Sequence, residues 1–201
     1  MRERSTTPLE YALEGIDGGG KTTNIQKLKR YYIEKGYGVV VLSGLSQTEF
    51  GRAIRRNIQK INSMGVDGMK FFKEDIRRSY ASIDGSATDI LLWDRHIYSI
   101  YAANTAFPDL SVIRNAEPAV PEPPKVFIMN VSPNIAWMRE QQAQKGDHLI
   151  TPEWLGAKHA KYLELLTREP ERFIEIDATR PLDEVFGQLV RIIDSDFARG
   201  Q

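Results

Sequence analysis

Five short apolar runs punctuate a chain of otherwise mixed pattern: Tyr11 to Ile16, Val39 to Leu42, Ile90 to Trp93, Val126 to Val131 and Phe173 to Ile176. Runs of this length fit strands buried on both faces of a parallel sheet. The longer stretches between them have helical character. Helix starts are marked at Ser132-Pro133, Thr151-Pro152-Glu153 and Thr179-Arg180-Pro181, where a hydroxyl can cap free amides and proline occupies or adjoins the first turn. The alternation of strand and helix predicts an α/β fold: an open parallel sheet with helices on both faces and ligands at the carboxyl ends of the strands. Pro118 to Pro124 reads as a short stiff connector, and no internal repeat interrupts the pattern, so residues 1–201 are read as one domain.

Composition narrows the functions open to such a fold. With 201 residues, 41% hydrophobic and 27% charged, the chain can bury a substantial core. Its 27 basic and 27 acidic side chains cancel, so no global field marks it for nucleic acid or an anionic membrane, and any useful positive charge must be local. Without cysteine it has no disulfides, thiolate metal sites or thiol nucleophiles. No apolar run approaches the roughly 20 residues of a membrane span, and the opening residues lack the apolar stretch of a signal peptide. A cytoplasmic protein with neither nucleic-acid nor membrane partners is expected.

Two strand ends carry the candidate chemistry. After the first apolar run comes Glu14-Gly-Ile-Asp-Gly-Gly-Gly-Lys-Thr-Thr23, in which Gly15, four residues, Gly20, Lys21 and Thr22 satisfy the phosphate-loop spacing. Glycines let several backbone N–H groups face one anion, Lys21 adds charge at the β and γ phosphates, and the Thr22 hydroxyl can ligate Mg²⁺. The helix-forming stretch Asn24 to Glu34 would point its positive end at the same place. The spacing therefore predicts a site for ATP with Mg²⁺, drawing on Gly15, Asp17, Gly18, Gly19, Gly20, Lys21, Thr22 and Thr23. At the second strand end, Asp94 stands where a phosphate-loop protein positions its metal, making Thr22 and Asp94 the expected metal ligands. The next residue is Arg95, where a motor ATPase usually has a glutamate to activate water. A guanidinium that grips phosphoryl oxygens suits transfer to an anionic acceptor. The Asn-Lys-x-Asp guanine reader of a GTPase is absent.

These segments, with Tyr98, Ser99 and Ala102, resemble the thymidylate kinase family of nucleoside monophosphate kinases. Leu13 to Thr23 looks like its phosphate loop and Asp94 to Asn104 like its Asp-Arg-Tyr/His segment. Pro124 to Pro133 is similar to its fourth strand, and Ile176 to Pro181 to the loop bordering adenine, which brings in Arg180. The resemblance implies a three-layer P-loop fold with five parallel strands in the order 2-3-1-4-5, an ATP-dependent phosphotransferase and a homodimer. It implies that Asp17 reaches the acceptor's sugar or phosphate, that Arg95 contacts the acceptor phosphate with Ser99 beside it, and that the Phe71-Phe72 and Arg77-Arg78 stretch forms the acceptor pocket. Phe72 and Arg77 are taken as its contacts.

The same comparison marks departures. Ser43 to Gly51 replaces the family's Glu-Pro-Gly-Gly-Thr-like stretch, and Ala103 stands where members often carry a tyrosine whose bulk disfavours a ribose 2′-hydroxyl. The expected lid, near residues 139–151, holds Arg139 as its single arginine, with Lys145 and His148 nearby. Arg139 joins Lys21, Asp94 and Arg95 as a candidate for the transfer itself. A kinase of a deoxynucleoside or another small phosphorylated molecule, or a nucleotide-binding switch or non-catalytic subunit, are the rival readings.

Overall fold

The computed structural model describes residues 7–45, 47–104, 107–143 and 150–199. Within them the chain runs β1 (Leu9–Glu14), α1 (Lys21–Glu34), β2 (Val39–Ser43), α2 (Glu49–Arg56), α3 (Ile58–Ser63), α4 (Val66–Ala81), β3 (Ile90–Asp94), α5 (Ile97–Ala103), α6 (Ser111–Arg114), β4 (Lys125–Asn130), α7 (Pro133–Gln142), α8 (Pro152–Arg168), β5 (Phe173–Asp177) and α9 (Leu182–Arg199). The five strands form one sheet in the order β2-β3-β1-β4-β5, every neighbouring pair parallel. Fold class and strand order are therefore as anticipated.

The period of two along β1 explains the three layers. Tyr11 points to one face, where its hydroxyl reaches Asp196 of α9 at 2.8 Å. Glu10 and Glu14 point to the other, where they meet Tyr80 of α4 and Tyr162 of α8. Helices α1 and α9 thus cover one side, and α4, α5 and α8 the other. The central strands are buried on both faces, with Ala12, Leu13, Leu92, Trp93 and Phe127 all at 0% exposure. Among the described residues no helix is long and apolar enough to cross a membrane.

Two of the three expected helix starts are capped as read. Ser132 accepts from the Ile135 amide and Thr151 from the Trp154 amide at 3.2 Å, caps worth about 1 kcal/mol each. The third differs. The Thr179 hydroxyl turns back to Asp177, and α9 begins at Leu182 with the Pro181 carbonyl accepting from Glu184 and Val185. The lid reading also changes at its start. Residues 139–142 are the last turn of α7, while Lys145 and His148 lie outside the described residues.

Candidate active site

The loop after β1 can only be glycine at two points. Gly15 has φ 134°, and a Cβ there would stand 2.8 Å from the Met129 carbonyl oxygen; Gly18 has φ 78°, and its Cβ would meet the Ala136 oxygen of α7 at 2.4 Å. Bare backbone curls between strand and helix. Gly20, also left-handed, precedes α1 without a side-chain cap, leaving the first-turn amides of α1 directed at whatever anion the loop holds. Lys21 is 5% exposed and donates to the Ile16 carbonyl at 2.7 Å. Burial first, then the field of Arg95, push its ammonium down to about 7, a setting that a triphosphate would reverse.

Register places the second strand end beside the first. Asp94 pairs with Leu13 across the sheet, and its Oδ2 accepts from the Thr22 hydroxyl at 2.6 Å. A carboxylate and a hydroxyl held this close are hard oxygen donors of the kind Mg²⁺ takes, so Thr22 and Asp94 are the residues that could hold one. Arg95 then turns the chain through a left-handed φ of 72°, a strained conformation for a non-glycine residue that fixes where the guanidinium points. The guanidinium donates to the Gly15 carbonyl at 3.0 Å, the Ser99 hydroxyl at 3.2 Å and the Asp17 carboxylate.

Beneath this turn lies Glu14, fully buried. It accepts from the His96 amide at 2.6 Å, the Ser99 amide at 3.2 Å, the Tyr162 hydroxyl at 2.9 Å and the Ser99 hydroxyl. The amides are those opening α5, whose N-cap residue His96 makes no cap of its own, so a carboxylate from β1 caps the helix that carries Arg95's neighbours. Glu14 and Tyr162 are structural members of the site that the motif reading quoted or passed over without a role.

Two cavities open on this assembly. One, of about 1000 Å³, is lined by the phosphate loop, Asp94, Arg139 and Arg180. The other, about 430 Å³, runs from Arg95 and Ser99 into an apolar chamber walled by Met69, Phe72, Ile76 and Trp154. They meet at Gly44, Leu45, Ile58 and Arg95. Asp75 shapes the junction by accepting from the Leu45 amide at 2.8 Å and from the Thr48 hydroxyl, which pins the unusual loop after β2.

Asp17, Gly18 to Thr23, Asp94, Arg95, Arg139 and Arg180 all reach the larger cavity. Arg139 extends from α7 to the Gly18 and Ala178 carbonyls at 3.3 and 3.0 Å. Arg180 is held by Asp177 and Glu184 at the surface. Phe72 and Ser99 line the chamber. Arg77 is not brought there: it is exposed on α4 and paired with Glu74 at 2.7 Å, as is Arg78. Helical spacing gives the reason, because Met69, Phe72, Ile76 and Ser79 share the buried stripe of α4 and leave 77 and 78 on the outer side. Lys158 was not singled out in the sequence, yet α8 delivers its ammonium to 3.1 Å from Asp17.

His96 is buried against Trp93 and Tyr80, with Nδ1 lacking any partner among the described residues. Burial pushes its pKa down to about 3. The unfolded chain takes up a proton below about pH 6.5 while the folded one does not, so His96 makes stability fall with pH by up to about 1.4 kcal/mol per unit until about pH 3. Glu14, whose carboxyl burial raises, contributes with the opposite sign. The comparison of wild type with His96→Phe isolates the histidine: urea titrations at pH 6, 5 and 4 are expected to show the wild type losing about 1 kcal/mol per unit more than the variant. Parallel losses would mean that His96 is protonated in the fold.

Comparison with known proteins yields a family model described as thymidylate kinase, matching residues 13–189. The chain is 29% identical to a probable thymidylate kinase of Archaeoglobus fulgidus over 92% of this chain and 94% of that one. It is 30% identical to a probable thymidylate kinase of Sulfurisphaera tokodaii, covering 94% and 97%. A thymidylate kinase of Thermoanaerobacter pseudethanolicus is 25% identical over 90% and 95%.

Proposed function

The chain belongs to the thymidylate kinase family, which makes it a nucleoside monophosphate kinase, and we propose that it transfers the terminal phosphate of Mg²⁺-ATP to a nucleoside monophosphate whose sugar need not lack the 2′-hydroxyl. The observation that carries the reading is the position of Arg95 on the shared wall of the two cavities. A phosphate seated from the chamber side and one seated in the glycine loop both come within its reach.

Catalysis here is positioning and charge neutralisation. Loop amides and Lys21 hold the donor phosphates. Thr22 and Asp94 would hold Mg²⁺, which would supply charge neutralisation to the phosphates when bound. Arg95 aligns the acceptor phosphate, and Phe72 with Trp154 offers flat apolar walls for a base. Ala103 also lines the chamber, leaving space where a larger side chain would press on the sugar. The expected homodimer belongs to this proposal and is open to sedimentation equilibrium.

The test is ADP release from Mg²⁺-ATP with a panel of nucleoside monophosphates, free nucleosides and a no-acceptor control. Stimulation by monophosphates is expected, with paired ribo and deoxyribo pyrimidine acceptors within about tenfold of one another in kcat/KM. Ala103→Tyr is expected to lower the ribonucleotide value at least about tenfold while sparing the deoxyribonucleotide, the scale of one steric clash in a binding pocket. Turnover of dTMP alone by the wild type would overturn the sugar reading. Turnover without any acceptor would overturn the kinase reading.

A further inference from the structure

Helix α8 presents three side chains one turn apart, Trp154, Lys158 and Tyr162, to three parts of the site. Trp154 lines the acceptor chamber. Lys158 lies over the Trp154 ring at 4.3 Å and reaches Asp17 Oδ2 at 3.1 Å, with only 7% of its side chain exposed. Tyr162 bonds Glu14 and the Ser99 hydroxyl. Arg95 holds the other oxygen of the same Asp17 carboxylate. The carboxylate is thus clasped between a guanidinium and an ammonium.

We propose that Lys158 is a positioning residue for phosphoryl transfer, holding Asp17 so that the positive charge of Arg95 stays available to the acceptor phosphate. The proposal rests on the kinase reading above. The argument is one of charge and geometry. A lone Arg95–Asp17 pair would be neutral, and its carboxylate would repel an incoming dianion. With Lys158 on the second oxygen, the three groups carry one net positive charge. That charge is set in a partly buried site where it is screened less than in water. The stacking of Lys158 on Trp154 ties the same ammonium to the chamber wall, so one residue registers the base-binding wall against the phosphate-binding groups.

The groups facing Lys158 are Glu14 of β1, Asp17 of the following loop, Lys21 at the start of α1, Arg95 after β3, and Trp154 on its own helix. Burial first, then Arg95, bring its ammonium down to about 8, against the pull of Asp17. Bound phosphates would raise it from there, so at saturating ATP the decline in acceptor kcat/KM, as the clasp loses its second cation, is expected on the alkaline side of about pH 8.

The experiment compares wild type, Lys158→Met and Lys158→Arg. Lys158→Met is expected to lower acceptor kcat/KM at pH 7 about 30- to 100-fold, with the KM for ATP within about threefold, less than the roughly 100- to 1000-fold cost of removing a donor that contacts the transition state itself. The variant is expected to lose the alkaline limb that wild type shows. Lys158→Arg, always charged, is expected to recover activity to within about fivefold at pH 7 and to move the limb beyond pH 10. Wild-type kcat/KM in Lys158→Met would overturn the proposal. So would an unchanged limb there, or a folded Lys158→Arg no better than Lys158→Met. If the wild type itself shows no acceptor-stimulated turnover, the kinase reading fails and takes this proposal with it, whereas an active wild type with indifferent variants rejects Lys158 alone.

Discussion

Lys21→Ala is expected to lower kcat by about a thousandfold or more while leaving the protein folded, because it removes the one full charge that the phosphate loop aims at the transferring group. Structural tolerance follows from the local hydrogen bonds. The Lys21 ammonium donates to the Ile16 carbonyl, but that oxygen also accepts from the Gly19 amide at 3.2 Å, so truncation leaves no buried acceptor unpaired. The lysine is itself desolvated, with burial lowering its pKa to about 7, and taking it away relieves a buried charge. A thermal midpoint within about 3 °C of wild type, or above it, is the accompanying expectation. Measuring turnover and far-ultraviolet melting on the same preparation decides the matter: a folded variant with wild-type turnover would remove the loop from the mechanism.

The second large effect is expected at Arg95. Replacing it with alanine should cost about a thousandfold in acceptor kcat/KM, in line with the removal of an arginine that stabilises transferring phosphate, while ATP affinity measured by titration stays within about threefold. The asymmetry follows from the proposed placement: the donor phosphates would have the loop amides and Lys21, whereas the acceptor phosphate would depend on the guanidinium that lines both cavities. Arg95→Lys keeps a charge but loses the planar fork, and is expected to fall between the two. Backbone strain provides an internal control. With φ at 72°, alanine inherits the left-handed cost of about 1 kcal/mol that glycine avoids, so Arg95→Gly should be as inactive as Arg95→Ala but more stable by about that amount. Equal loss of ATP and acceptor binding in Arg95→Ala would overturn the assignment.

The acceptor chamber illustrates how far local pattern reaches. Phe72 was readable as a pocket residue, and the buried stripe at 69, 72, 76 and 79 was equally present in the sequence to place Arg77 on the far side of α4. The arginine pair was assigned by its likeness to a family feature, whereas helix spacing leaves both residues outside the buried stripe and paired with Glu74. Ser99, expected as an acceptor contact, does line the chamber, but its hydroxyl is also engaged by Arg95, Glu14 and Tyr162. Part of what it does is hold the guanidinium.

Local pattern and motif spacing were legible along the chain. The apolar runs became five parallel strands because such runs need cover on both faces. The glycine spacing before Lys21 became a loop because Gly15, Gly18 and Gly20 take positive φ values that glycine adopts without strain. Asp94 at a strand end met Thr22 because parallel register aligns the two carboxyl ends. The company these residues keep across long separations emerged with packing. Glu14 caps a helix some 80 residues away, Tyr162 completes its shell from 148 residues off, and Lys158 reaches Asp17 across 141. A lysine on an amphipathic helix carries no local mark of burial. Its role arises when α8 packs beside the end of β1, bringing an ammonium to a carboxylate that already holds Arg95.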